Sequence, residues 1–222
     1  MREDHDVKVG ILGSGAVARA LGSGFHARGH EVVFGTRDPA KLDDWLADHP
    51  GSRADGLAEA AGHGELVVLA VKGAAAAEVL RLADAGRTLA GTTVVDTTNP
   101  ISDAPPVNGV LGYFTGPGES LMERLQAEFP EVRFVKAFNS VGNESMVDPA
   151  FEGGPPTMFV CGDDPGAKAE VTAILDAFGW ETEDMGPVEA ARAIEPLCVL
   201  WCLPGLLHGR WDHAFKLVRA KP

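Results

Sequence analysis

The chain has 222 residues, 45% of them hydrophobic, and a formal net charge of −13. That length suits one domain with an extension or two small domains, with enough apolar residues for a sizeable core. The acidic balance and the lack of any basic run weigh against nucleic acid and against an anionic membrane surface as partners.

The first apolar run, Val7, Val9, Ile11 and Leu12, reads as a strand. It stops at Gly13-Ser14-Gly15-Ala16-Val17-Ala18, and a helical pattern follows through Ala20, Leu21 and Phe25. A second run, Val32-Val33-Phe34, ends in Gly35-Thr36-Arg37. Strand, glycine turn, helix and strand in that order open a dinucleotide-binding βαβ unit. In such a unit Gly13 allows the tight turn, Gly15 lets a pyrophosphate approach the backbone, and Ala18 lets the helix sit close to the sheet. The free N–H groups of Ala16 and Val17 and the positive end of the helix dipole then face the phosphates. The plainer alternative is a structural turn without a ligand.

The end of the second strand indicates which dinucleotide binds. An NAD site places Asp or Glu there, about 20 residues past the glycines. This chain has Thr36 and Arg37, with Lys41 one helical turn beyond. A hydroxyl and a guanidinium suit a 2′-phosphate, which a carboxylate would repel. The pattern predicts a preference for NADPH over NADH, against the plainer reading of Arg37 and Lys41 as solvated charges. Asp38, before Pro39, reads as an N-cap with proline at N1.

Further along, helices are expected over Ala40–Ala47, Leu57–Ala61, Ala74–Leu82 and Ser120–Phe129, with a short strand at Gly51–Asp55. Glu65–Val71 is nearly continuous in apolar residues, as for a parallel strand buried on both faces. Thr92–Asp96 and Arg133–Phe138 are the next strands, with a turn-rich region between them. Strands alternating with helices predict an α/β, Rossmann-type doubly wound parallel sheet. Asp148-Pro149 and Gly153-Gly154-Pro155-Pro156 read as a linker. The expected division is an NADP-binding domain over 1–150 and a small C-terminal α/β-to-helical domain over 151–222, closing the pocket. That second part would contain a strand at Thr157–Cys161, a helix at Pro165–Phe178 and a strand at Trp180–Asp184. A mostly helical run at Val188–Leu203, kinked at Pro196, and a last helix at Arg210–Val218 would complete it.

The longest apolar candidate for a bilayer span, Leu197–Leu207, is short and contains Pro204. Residues 1–6 are polar, without a signal-peptide core, which predicts a cytoplasmic protein with no membrane partner. Three cysteines fit a reduced compartment. Cys198 and Cys202, spaced i, i+4, read as core packing rather than a redox pair.

Ligands of open α/β sheets bind at the carboxyl ends of the strands. Besides Gly13–Val17 and Thr36-Arg37, those ends supply Val71-Lys72-Gly73 and Thr97-Thr98-Asn99-Pro100-Ile101. Asn139, Ser140 and Asn143 follow the next strand and would face the acceptor. Each has an ordinary turn residue as its alternative. No general acid or base emerges. His5, His26, His30, His49, His63, His208 and His213 are scattered, and Gly29 should end the helix between His26 and His30, so no metal site is expected. Hydride transfer between stacked rings needs proximity and orientation more than a proton shuttle. The length argues against a long-chain hydroxyacid dehydrogenase.

Taken together, the chain resembles the NADPH-dependent coenzyme F420 reductases. The resemblance is carried by Ile11–Gly15, Gly29–Val32, Gly35-Thr36-Arg37 with Lys41, Asp96–Pro100 and Val135–Asn139. Cys161–Asp164 and Ala191–Leu197 extend it toward the C-terminus. It implies a Rossmann domain and a small domain that closes over the nicotinamide, commonly in a homodimer. By that likeness Ser14–Val17, Thr36, Arg37 and Lys41 bind NADP(H), and Gly73, Ala77, Ile101 and Asn143 occupy further cofactor-touching positions. The acceptor it implies is a deazaflavin stacked on the nicotinamide. A free flavin or ferric chelate as acceptor, or an NADP(H)-sensing module without turnover, are the competing readings. Trp201 and Trp211 would line a closed pocket or a dimer seam.

Overall fold

The computed structural model describes residues 7–220; His5 and the rest of the polar N-terminal segment lie outside that range. In chain order the elements are β1 (Lys8–Leu12), α1 (Ala16–Ala27), β2 (Glu31–Gly35), α2 (Asp43–Asp48), β3 (Arg53–Asp55), α3 (Leu57–His63), β4 (Leu66–Leu69), α4 (Gly73–Leu82), α5 (Ala85–Thr88) and β5 (Thr93–Asp96). There follow α6 (Leu121–Glu128), β6 (Arg133–Lys136), β7 (Thr157–Val160), α7 (Pro165–Ala177), β8 (Glu181–Asp184), α8 (Ala191–Ile194) and α9 (Pro196–His208).

Six strands form one sheet in the order β3-β2-β1-β4-β5-β6. Every neighbouring pair is parallel. This is the Rossmann order, and the strand sequence reverses direction between β1 and β4. All four residues of β4 are buried, as its unbroken apolar run requires of a strand covered by helices on both faces. Val9, Ile11, Leu66 and Val68 face the layer of α1 and α7, whereas Leu12, Val67, Leu69 and Val94 face that of α3, α4 and α6. Each such side chain fully withdrawn from water contributes roughly 1.5–3 kcal/mol.

β7 and β8 make a separate parallel pair. Met158, Val160, Val171, Leu175, Phe178 and Trp180 join the same apolar cluster as Ile11, Phe25 and Phe34, so the residues after 150 pack onto the main core.

The C-terminal segment departs from the sequence expectation. Arg210–Val218 is not helical. Gly209 adopts a φ of 68° and ends α9, a left-handed turn glycine tolerates easily. The chain then runs extended beside β7: the Thr157 N–H donates to Phe215 O at 2.9 Å, and the Leu217 N–H donates to Thr157 Oγ1 at 3.0 Å. Pro196 is no kink. It occupies the first position of α9, where a missing N–H costs nothing, and Glu195 before it keeps helical angles. The near-continuous helical path therefore runs 21 residues, Val188–His208, longer than the apolar stretch foreseen, and by length and composition alone is enough to cross a membrane. In this fold Ile194, Cys198 and Trp201 of that path face the interior, and Glu195 within it is buried in an ion pair.

Ahead of α2, Pro39–Leu42 forms a 3-10 turn. Asp38 does not cap it with its side chain; the carboxylate lies 3.5 Å from Lys41 Nζ instead.

Candidate functional site

The carboxyl ends of β1, β2, β4 and β5 open into a groove of about 870 Å³. Gly13 leaves β1 with a φ of 136°, and a Cβ on it would lie 2.2 Å from the Ala70 carbonyl oxygen at the end of β4. Only glycine fits there. Gly15, at the N-cap of α1, has the opposite surroundings: nothing lies within 4 Å of where its Cβ would be. That vacant space, beside the unpaired N–H groups of a helix start, fits a pyrophosphate.

At one end of the groove Thr36 and Arg37 follow β2. The Thr36 hydroxyl donates to Ser14 Oγ at 3.4 Å, and the Asp38 N–H donates to Thr36 Oγ1 at 3.2 Å. The Arg37 guanidinium is well exposed and lies 4.0 Å from Glu78, a loose contact that a stronger anion can displace. Lys41 is exposed beside it. Arg19, one turn into α1, went unnoticed in the sequence. Its guanidinium donates to the Ser14 carbonyl at 3.2 Å and to the Lys41 carbonyl, tying the glycine turn to the Lys41 loop.

At the other end, Val71, Lys72 and Gly73 meet the loop after β5. Lys72 is the N-cap of α4, and a Cβ on Gly73 would sit 1.9 Å from the Asn99 carbonyl oxygen. Thr98, Asn99 and Ile101 line this end. Gly13, Ser14, Gly15, Ala16, Val17, Thr36, Arg37, Lys41, Val71, Lys72 and Gly73 share the same groove. Four of the expected residues do not line it. Ala77 is on α4 past its first turn, and Pro100 is buried. Asn139 is turned inward: its Nδ2 donates to Asn99 Oδ1 at 3.1 Å and to the Ile194 carbonyl at 3.0 Å. Phe138 before it takes a φ of 61°, a strained value for an aromatic residue, and this redirects the chain after β6. Asn143 lines a second cavity of about 1370 Å³.

That second cavity meets the groove at Val17, which lines both. Its walls include Val141, Phe151, Trp201, Trp211 and His213. Trp201 and Trp211 have ring centroids 5.4 Å apart, and the Trp201 indole N–H donates to the His213 carbonyl at 2.8 Å. His213 Nε2 faces the Trp201 carbonyl at 2.9 Å; since a carbonyl only accepts, that nitrogen carries the proton. Among the described residues no group of three metal-ligating side chains converges. His26 and His49 meet edge to face, and His49 is stacked on Trp45. Cys161, Cys198 and Cys202 are free thiols. Burial pushes the Cys161 thiol up to about 12.

Behind the loop after β5 lies a buried ionic cluster that the sequence reading did not single out. Lys136 Nζ sits 2.7 Å from Asp96 Oδ2 and 3.0 Å from Glu195 Oε1, with all three side chains essentially inaccessible to water. Burial alone would lower the ammonium's pKa. The two carboxylates outweigh it, and the net shift is upward. Asp96 and Lys136 are register partners at the ends of β5 and β6. Two opposite charges, each directly after an apolar pair in its strand, Val94-Val95 and Phe134-Val135, were the signal available in the sequence.

With that geometry in view, the chain can be set beside known proteins. The model of the family described as NADP oxidoreductase, coenzyme F420-dependent, matches residues 8–100. A crystal structure of a protein from Arthrobacter sp. FB24, proposed to be an F420-dependent NADP reductase, is 34% identical and superposes with a TM-score of 0.89 over 96% of this chain and 100% of that one. Metalloreductase STEAP3 from Rattus norvegicus is 31% identical over 204 residues, 90% of this chain, and the chain spans 39% of that protein's length. An imine reductase from Myxococcus stipitatus, solved with NAD+, is 18% identical with a TM-score of 0.67, covering 92% of this chain and 63% of that one; it shares the fold.

Proposed function

The chain belongs to the family of coenzyme F420-dependent NADP oxidoreductases, and from that premise we propose that it transfers hydride between NADP(H) and a deazaflavin of the F420 type. As a member it is an NADP-dependent oxidoreductase with a Rossmann fold. The observation that carries the finer reading is the second cavity. It is large enough for a multi-ring acceptor, is walled by aromatic side chains, and touches the cofactor groove at Val17. Stacked rings exchange hydride when held in near-attack geometry, and no side chain has to shuttle a proton for the carbon–hydrogen step.

The division of labour follows the groove. Arg37 and Lys41 meet the 2′-phosphate, Gly13–Val17 the pyrophosphate, and Thr98, Asn99 and Ile101 the nicotinamide half. NADPH supplies the hydride, and reduction of the deazaflavin also takes up one proton, from solvent. Trp201 and Trp211 exclude water from the acceptor's face. Leu200, Leu206 and Leu207, exposed on α9, would form the seam of a homodimer in the cytoplasm.

A second reading, with a free flavin or ferric chelate as acceptor, is favoured by the likeness to the rat metalloreductase. One assay separates them. The protein is mixed with NADPH and, in parallel, with coenzyme F420, FMN, FAD and ferric chelates, and loss of reduced nicotinamide is followed. Turnover with coenzyme F420 alone is the expected result. Turnover with FMN, FAD or ferric iron but not F420 transfers the assignment to the second reading. Turnover with none leaves a module that senses NADP(H).

A further inference from the structure

We infer that the buried Asp96–Lys136–Glu195 cluster is a positioning device for the nicotinamide half of the cofactor, operated from the C-terminal helices. Lys136 also donates to the Thr98 carbonyl at 2.9 Å. Asp96 Oδ1 accepts from the Thr98 N–H at 2.9 Å and from its hydroxyl at 2.7 Å. The backbone and side chain of Thr98 are therefore held from behind by two charges, while Thr98 itself lines the groove. Asn99, the next residue, is held by Asn139, which also bonds the Ile194 carbonyl.

The other side of the cluster is anchored in the C-terminal part. Glu195, between α8 and α9, accepts from the Leu121 and Met122 N–H groups at the start of α6, both at 3.0 Å. Its own carbonyl accepts the Tyr113 hydroxyl at 2.6 Å. Residues 194 and 195 thus join α6, β6 and the groove-lining loop at one point. A charge cluster this deeply buried is poor value for stability, because desolvation offsets its attraction. It does fix geometry: neither Thr98 nor Asn99 can shift without breaking bonds to an ion or a buried amide. Among the described residues, no hydrogen bond or ion pair joins Arg37 or Lys41, at the adenosine end, to the cluster. The cluster's effect should therefore fall on one half of the cofactor only.

The test needs no acceptor and so stands apart from the deazaflavin assignment. Dissociation constants are measured for NADPH and for 2′,5′-ADP, which carries the adenosine half alone. Glu195→Gln leaves Lys136 paired with Asp96 but removes the charge that ties Lys136 to the C-terminal helices and sets an amide NH2 against the Leu121 or Met122 N–H. The expected result is NADPH binding weakened by about tenfold with 2′,5′-ADP unchanged. Tyr113→Phe, which removes one tether of Glu195 and no charge, should move the same ratio in the same direction by less, and it decides the matter if Glu195→Gln does not fold. Arg37→Ala, as the opposite control, should weaken both ligands together. An unchanged ratio in the folded Glu195→Gln and Tyr113→Phe proteins, with only a lower melting temperature, would show a merely structural cluster and overturn the inference.

Discussion

Two glycines two residues apart have opposite reasons to be there. Gly13 is fixed by the protein: its φ of 136° and the Ala70 carbonyl 2.2 Å from a notional Cβ leave no room for a side chain. Gly15 is not fixed by the protein, since beyond its chain neighbours nothing lies within 4 Å of its notional Cβ; the pyrophosphate proposed to bind there is the reason for it. Gly13→Ala should therefore cost at least about 2 kcal/mol in urea unfolding. Gly15→Ala should leave the midpoint near wild type but weaken NADPH binding by about tenfold or more, because the methyl takes the pyrophosphate's place. Equal loss of stability in both variants, or unimpaired NADPH binding by Gly15→Ala, contradicts this. The glycine turn and the Thr36-Arg37 pair were legible because their chemistry is local. Asn139 was not, because its inward turn depends on Phe138 at a φ of 61° and on a carbonyl 55 positions away in α8.

At the level of elements, periodicity located the strands and most helices because apolar spacing and burial agree in a parallel sheet covered on both sides. It failed at Arg210–Val218, where Trp211, Phe215 and Val218, spaced i, i+4, i+7, belong instead to a strap that bonds to Thr157 of β7, a partner no local window contains. α6 starts within one residue of the expected Ser120, and its cap is Ser120 itself. Ser120 Oγ accepts from the Glu123 N–H at 3.1 Å and donates to Glu123 Oε2 at 2.8 Å, a variant of the capping box. Arg192 of α8 grips the same carboxylate at 2.9 Å. That guanidinium holds Glu123 below the usual carboxylate range. Ser120→Ala should cost about 1 kcal/mol at neutral pH, read by chemical denaturation. The Arg192 contact adds a pH signature. A lowered folded pKa contributes stability above the ordinary carboxylate value and loses it as pH falls through the depressed one. The gap between wild type and Arg192→Met should thus be full at neutral pH and close below about pH 4. A gap that persists undiminished into acid assigns the stabilisation to packing.

For the whole molecule, the question is what the residues after 150 add to a sheet that already has its full strand order. Stability is part of it: Met158, Val160, Val171 and Phe178 extend the apolar layer on the side of β5 and β6. The strap from Gly209 onward has a different position. None of its described residues lines the groove, yet it supplies Arg210, Trp211, Asp212, His213 and Lys216 to the wall of the second cavity. It is held there by the reciprocal Trp201–His213 bonds, by Phe215 on Thr157, and by Trp211 lying across Gly205, where a Cβ would come within 2.3 Å of the indole. Groove and cavity share Val17 but are walled by different parts of the chain, so their ligands should be separable by truncation. A chain ending at Gly209 should bind NADPH within about twofold of wild type, while the KM of whichever acceptor turns over rises by about tenfold, the signature of lost binding for one substrate only. Loss of NADPH affinity in a truncated protein that still melts cooperatively would mean that the strap shapes the cofactor groove. An unchanged acceptor KM would mean that the acceptor does not enter the cavity beside Trp201.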